Sequence, residues 1–179
     1  MAIDSIPSFI ERRIKIILLE ASVEKIARQD IKLIMRVISN VATVGVDVKS
    51  QSIYKLNPYL SKKAKHSLET CKSFEEWVGD KKKNLNRRVT NEHQYPLQEF
   101  WKDIQKNISS YNSEIIWNKF CEYPMISILV EEDAELQKKK YKNLAPIDRY
   151  LEAGIEIVKL NTGAYNYWSA LHLKKSRAV

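Results

Sequence analysis

The chain is short of the residues that make tight turns and metal frameworks. Four glycines and five prolines in 179 residues are too few for a fold of many short strands, because those residues supply the special backbone angles that hairpins need. The two cysteines, Cys71 and Cys121, stand far apart in unrelated contexts. They give neither a zinc pair nor a disulfide framework, and they fit a reducing cytoplasm. The sequence has no glycine-rich phosphate loop, no nucleophile signature, no internal repeat and no low-complexity tract. The opening MAIDSIPSFIERR carries an acid and arginines, unlike a secretory leader or a membrane anchor. The expectation is a soluble cytoplasmic protein with no membrane partner.

What is present reads as an ordinary globular chain. Hydrophobic residues make up 44% and charged residues 29%, and the length suffices to bury roughly two-thirds of the unfolded surface. We expect one globular domain over 1–179, mainly α with a small β element (α+β). Its helical part covers 1–80; a basic loop, further helices and the β element cover 81–179. From Ile6 to about Val41, apolar residues such as Ile10, Ile14, Ile17, Ile31, Ile34 and Ile38 recur at helical spacing. The pattern predicts two helices with a break near Gln29-Asp30, the first opened by Pro7, Ser8 and a capping-box Glu11. Its stripe serves the core or a self-association surface. Residues 53–78 read as two or three short helices interrupted at Asn57-Pro58. Leu97, Phe100, Trp101, Ile104 and Ile108 mark an amphipathic helix, and another runs from about Asn112 to Cys121. MISILV at 125–130 is the best strand, with GIEIVKL and the residues before His93 as further candidates.

Charge points to a polyanion. Thirty Lys plus Arg against 22 Asp plus Glu give +8, which favours DNA or RNA as partner and says nothing about fold. The density is highest in DKKKNLNRR, where Lys81, Lys82, Lys83, Arg87 and Arg88 form an exposed basic loop. At the other end Tyr165, Tyr167 and Trp168 precede Lys174, Lys175 and Arg177. That combination can stack bases and neutralise phosphate, or the rings can pack the terminal segment onto the core.

The most chemically loaded stretch is RRVTNEHQYP at 87–96. Val89-Thr90-Asn91-Glu92-His93-Gln94-Tyr95-Pro96 resembles the first segment of HNH-type (ββα-metal) nucleases. There a strand ends in an acid-histidine pair, the histidine activates a water, and the acid helps to hold a divalent metal. The resemblance implies metal-dependent phosphodiester cleavage with magnesium or manganese, His93 as base and Glu92 as ligand. Further ligands would come from Asn118, Glu131 or Asp133. The Glu131-Glu132-Asp133 triplet is explained first as the acidic opening turn of a helix, where acids complement the dipole.

Arg88 followed by four residues and His93 is also similar to the motif of HEPN ribonucleases. Those are helical proteins that cut RNA without metal, with the histidine in acid-base chemistry and the arginine on phosphate. That likeness implies pairing across a homodimer. A third reading has no chemistry in it: Asn91 and Glu92 cap the next helix, His93 is a structural hydrogen-bonding ring, and the chain is a nucleic-acid or protein interaction module. All three readings share the contact of residues 81–93 with phosphate.

Overall fold

The computed structural model describes residues 5–23, 28–48, 50–79, 85–138, 141 and 144–176. In chain order the elements are α1 (Ser8–Val23), α2 (Arg28–Val44), α3 (Ser50–Leu56), β1 (Tyr59–Ser61), α4 (Lys62–Thr70), α5 (Phe74–Val78), β2 (Val89–His93), α6 (Leu97–Lys106), α7 (Ser113–Glu122), β3 (Met125–Leu129), α8 (Val130–Leu136), α9 (Pro146–Glu152), β4 (Ile157–Lys159) and α10 (Ala164–Ser176). The fold is mainly α with a small sheet, as the composition predicts. No described helix is long and apolar enough to cross a membrane.

The chain divides into two compact units, each built from two stretches of sequence: residues 1–48 with 93–124, and 49–92 with 125–179. The first unit is helical. Ile10, Ile14 and Ile17 of α1, Met35, Ile38 and Val41 of α2, Phe100 and Ile104 of α6, and Ile116 and Phe120 of α7 form one buried cluster. This is the apolar stripe that the isoleucine spacing predicts. Gln29-Asp30, where the sequence suggests a break, lie inside the first turn of α2. Asp30 fits there because an acid complements the positive end of the helix dipole. Glu11 pairs with Lys15 one turn on, at 2.8 Å, while Pro7 C=O accepts the N–H groups of Ile10 and Glu11.

The second unit holds a four-stranded sheet in the order β2-β3-β1-β4. β1 runs parallel to β3, with Leu60 opposite Ser127, and antiparallel to β4, with Tyr59 opposite Lys159. Strands β2, β3 and β4 fall on the three expected stretches. β1 does not follow from the sequence: the segment after Pro58 reads as helix, yet Tyr59-Leu60-Ser61 is an internal strand of the sheet. The fully buried Asn57 makes this possible. Its side-chain amide donates to Met125 C=O at 3.3 Å and to Ser127 Oγ at 3.1 Å, and its carbonyl accepts Tyr59 N–H at 3.0 Å. A residue that looks like a helix stop thus docks β1 onto β3 and satisfies backbone that burial would otherwise leave unpaired.

Leu60, Leu68, Phe74, Trp77, Val89 and Leu160 pack in one cluster of this unit, and Ile126, Ile128, Leu136, Tyr150 and Ile155 in another. Tyr167 and Trp168 of α10 pack against the first of these, so these aromatics of the tail do serve the core. Tyr165 stands more open, edge-on to Phe74 with ring centroids 5.2 Å apart.

Candidate nucleic-acid interface

The described residues on either side of the basic segment meet. Ser73 caps α5 by accepting Glu76 N–H at 3.1 Å, and Trp77 is fully buried, its indole N–H donating to Ala64 C=O at 3.2 Å. Gly79 ends the helix at φ +80°, a left-handed angle that side chains disfavour. A Cβ on Gly79 would lie 2.8 Å from Arg87 N and Cα, and Arg88 N–H donates to Trp77 C=O at 3.2 Å. Gly79 and Arg87, on either side of the basic residues, therefore lie in contact. Lys81, Lys82 and Lys83 lie outside the described residues, as does Arg177. The backbones of Lys174 and Lys175 belong to α10. Arg87 is exposed and reaches Tyr54 Oη at 3.4 Å.

Each side chain of the would-be catalytic set has a protein partner of its own. Arg88 is ion-paired with Glu76, whose other oxygen accepts Lys72 N–H at 2.9 Å. Glu92 is ion-paired at 3.3 Å with Arg149, a guanidinium only 3% exposed. His93 Nδ1 shares a hydrogen bond with Ser39 Oγ at 3.0 Å. Burial, and secondarily the positive charge of Arg36, lowers the pKa of His93 from its usual 6.5 to about 4. Adjacent residues of a strand point to opposite faces, so Glu92 and His93 leave β2 in different directions. Arg88 and His93, five residues apart on extended backbone, are separated by about 16 Å along the chain.

The remaining ligand candidates each have surroundings of their own. Asn118 is exposed on α7, Glu131 is exposed at the start of α8, and Asp133 accepts the amide of Gln137 at 3.2 Å. Among the described residues no group of three or more His, Cys, Asp or Glu side chains is placed to hold a metal ion. The acidic triplet does open a helix, as the dipole argument predicts.

Its middle member is the residue that sequence reasoning missed. Glu132 is buried, accepts the Ser61 hydroxyl and accepts Leu129 N–H at 2.9 Å. The signal was its place three residues after Leu129, where an acid reaches back to the helix start. Glu132→Ala strands both donors and is expected to cost about 2 kcal/mol. Urea unfolding measures this, and an unchanged midpoint would contradict the assigned role.

Ser127 links the sheet to the segment of the motif. Its hydroxyl donates to Asn91 Oδ1 at 2.7 Å while receiving the Asn57 amide. Asn91 is thus held across the sheet and does not cap α6, whose first position follows Pro96 without a side-chain cap.

No protein-family model matches the chain, and no curated protein or solved structure matches it either.

Proposed function

We propose that this chain is a nucleic-acid-binding module that presents residues 81–88 to phosphate, with Glu92 and His93 serving the fold and not a cleavage reaction. One observation carries the reading: Arg88, Glu92 and His93 are each occupied by a separate protein partner, Glu76, Arg149 and Ser39. A general base is most useful with a pKa near the working pH, and His93 sits well below it. The charge of +8 and the density of lysine and arginine in residues 81–88 support the polyanion contact. Cys71 and Cys121 are free thiols, in keeping with a reducing cytoplasm.

The test is binding of labelled DNA and RNA at two salt concentrations by the parent and by a variant with Lys81, Lys82, Lys83 and Arg87 changed to Glu. Arg88 is left in place because it pairs with Glu76. The parent should bind at low salt and lose roughly an order of magnitude or more of affinity on raising salt, whereas the variant should lose most binding and most of the salt slope. Equal binding by both would exclude the loop. The same protein incubated with magnesium or manganese tests catalysis. Chelator-sensitive cutting that His93→Ala abolishes would replace the module by the HNH reading. Chelator-insensitive cutting of RNA alone that Arg88→Ala abolishes would favour the HEPN one.

A further inference from the structure

In the first unit a shallow groove runs between α2 and α6, lined by Ile31, Lys32, Gln98, Trp101, Lys102 and Gln105. The core flank of α6 is Leu97, Phe100 and Ile104. Residues 98, 101, 102 and 105 form a second flank at the three- and four-residue spacing that puts side chains on one helix face. Trp101 lies between the two: it packs partly against the core cluster, and it also lines the groove. Trp101 is partly buried, and the part of its ring that lines the groove is open to a ligand.

The surroundings specify that ligand. Lys32 and Lys102 stand on opposite walls of the groove, and one helical turn further on the exposed Arg36 and Lys106 continue the two rows of cations. Opposing them, Glu99 accepts Lys102 Nζ at 2.9 Å, and Asp30 is exposed at the start of α2. Asp103 of α6 is already engaged by the hydroxyls of Tyr95 and Tyr111 and the amide of Asn107. Cations remain in excess. Gln98 and Gln105 add amides that both donate and accept, which suits the edge of a base and places no charge beside phosphate.

We infer that the Trp101 groove is a subsite for single-stranded nucleic acid, in which a base stacks on the indole while Lys32 and Lys102 meet the flanking phosphates. Stacking is tolerant of sequence because every base has a π-face, and it requires an unpaired strand because duplex bases are already stacked. This inference rests on the nucleic-acid reading and adds strand preference to it.

The experiment measures fluorescence anisotropy of labelled oligothymidine, oligouridine and a mixed-sequence duplex with the full chain and two variants. Trp101→Leu keeps apolar bulk and removes the stacking ring; it should weaken single-strand binding about tenfold, leave the duplex unchanged and preserve the salt slope. Trp101→Tyr keeps a ring and should stay close to the parent. A Trp101→Leu protein that binds single strands like the parent overturns the inference and leaves the loop reading standing. A parent that binds no nucleic acid overturns both.

Should Trp101→Leu fail to fold, photocrosslinking of the parent to bromouracil-substituted single strands decides. Attachment in the peptide containing Trp101 supports the subsite, and attachment only elsewhere overturns it. Equal competition by polyglutamate and by oligothymidine would also overturn it, because charge alone would then explain the binding.

Discussion

Arg149→Ala is expected to lower the unfolding free energy by about 3–5 kcal/mol, the range found when one partner of a buried ion pair is removed. The guanidinium is almost fully enclosed and faces Glu92, itself only 17% exposed. Among the described residues its Nε and one terminal nitrogen find no acceptor. Beside it the buried Tyr150 hydroxyl has its pKa driven well above the usual value, by burial first and then by Glu92, with Arg149 opposing the shift. Removing Arg149 takes its positive charge away from both Glu92 and Tyr150. The double variant Arg149→Met with Glu92→Gln removes both charges and should recover most of the loss, because an incompletely satisfied buried pair gains little over an apolar replacement. Urea denaturation of parent, single and double variants tests this. A single variant within about 1 kcal/mol of the parent would mean that Glu92 does not depend on Arg149.

The second large effect is a pH dependence set by His93. The folded-state pKa is depressed, from 6.5 to about 4, so an unfolded chain takes up a proton on this ring at higher pH than the folded chain does. The stability that rests on neutral His93 is fully present above about pH 6.5 and is lost as pH falls through the window down to about 4. A shift of this size corresponds to about 3 kcal/mol across the window. His93→Gln should flatten the dependence of stability on pH in that range, and Ser39→Ala should lower stability without removing the titration. Thermal melts at several pH values would show it. Parallel curves for parent and His93→Gln would sink the assignment.

Much of the fold was legible because its cues are local. The isoleucine spacing of α1 and α2, the β-branched MISILV and the acids that open α8 each carry their own explanation in neighbouring residues. The strand of Tyr59-Leu60-Ser61 was not legible. Three residues give no periodicity, and their conformation is decided by Asn57 reaching Met125 and Ser127, 68 and 70 positions away.

The candidate site shows the same limit in sharper form. Arg88, Glu92 and His93 look like a constellation because they are close in sequence, but extended backbone spreads them and long-range partners claim them. Glu76 is 12 positions from Arg88, Arg149 is 57 from Glu92, and Ser39 is 54 from His93. A motif read along the chain carries no information about which distant side chain arrives to meet it. The Trp101 groove was hidden for the converse reason. In sequence Trp101 is one more member of an amphipathic stripe, and only the packing of α2 beside α6 sets Lys32 across from it.

The contact of Gly79 with Arg87 ties down the basic segment on both sides. Because Gly79 meets Arg87 and Trp77 holds Arg88, the described residues at the two ends of this segment are fixed by the fold. Substitutions at Lys81, Lys82 and Lys83 therefore change the charge that the segment carries without altering the residues that make these contacts.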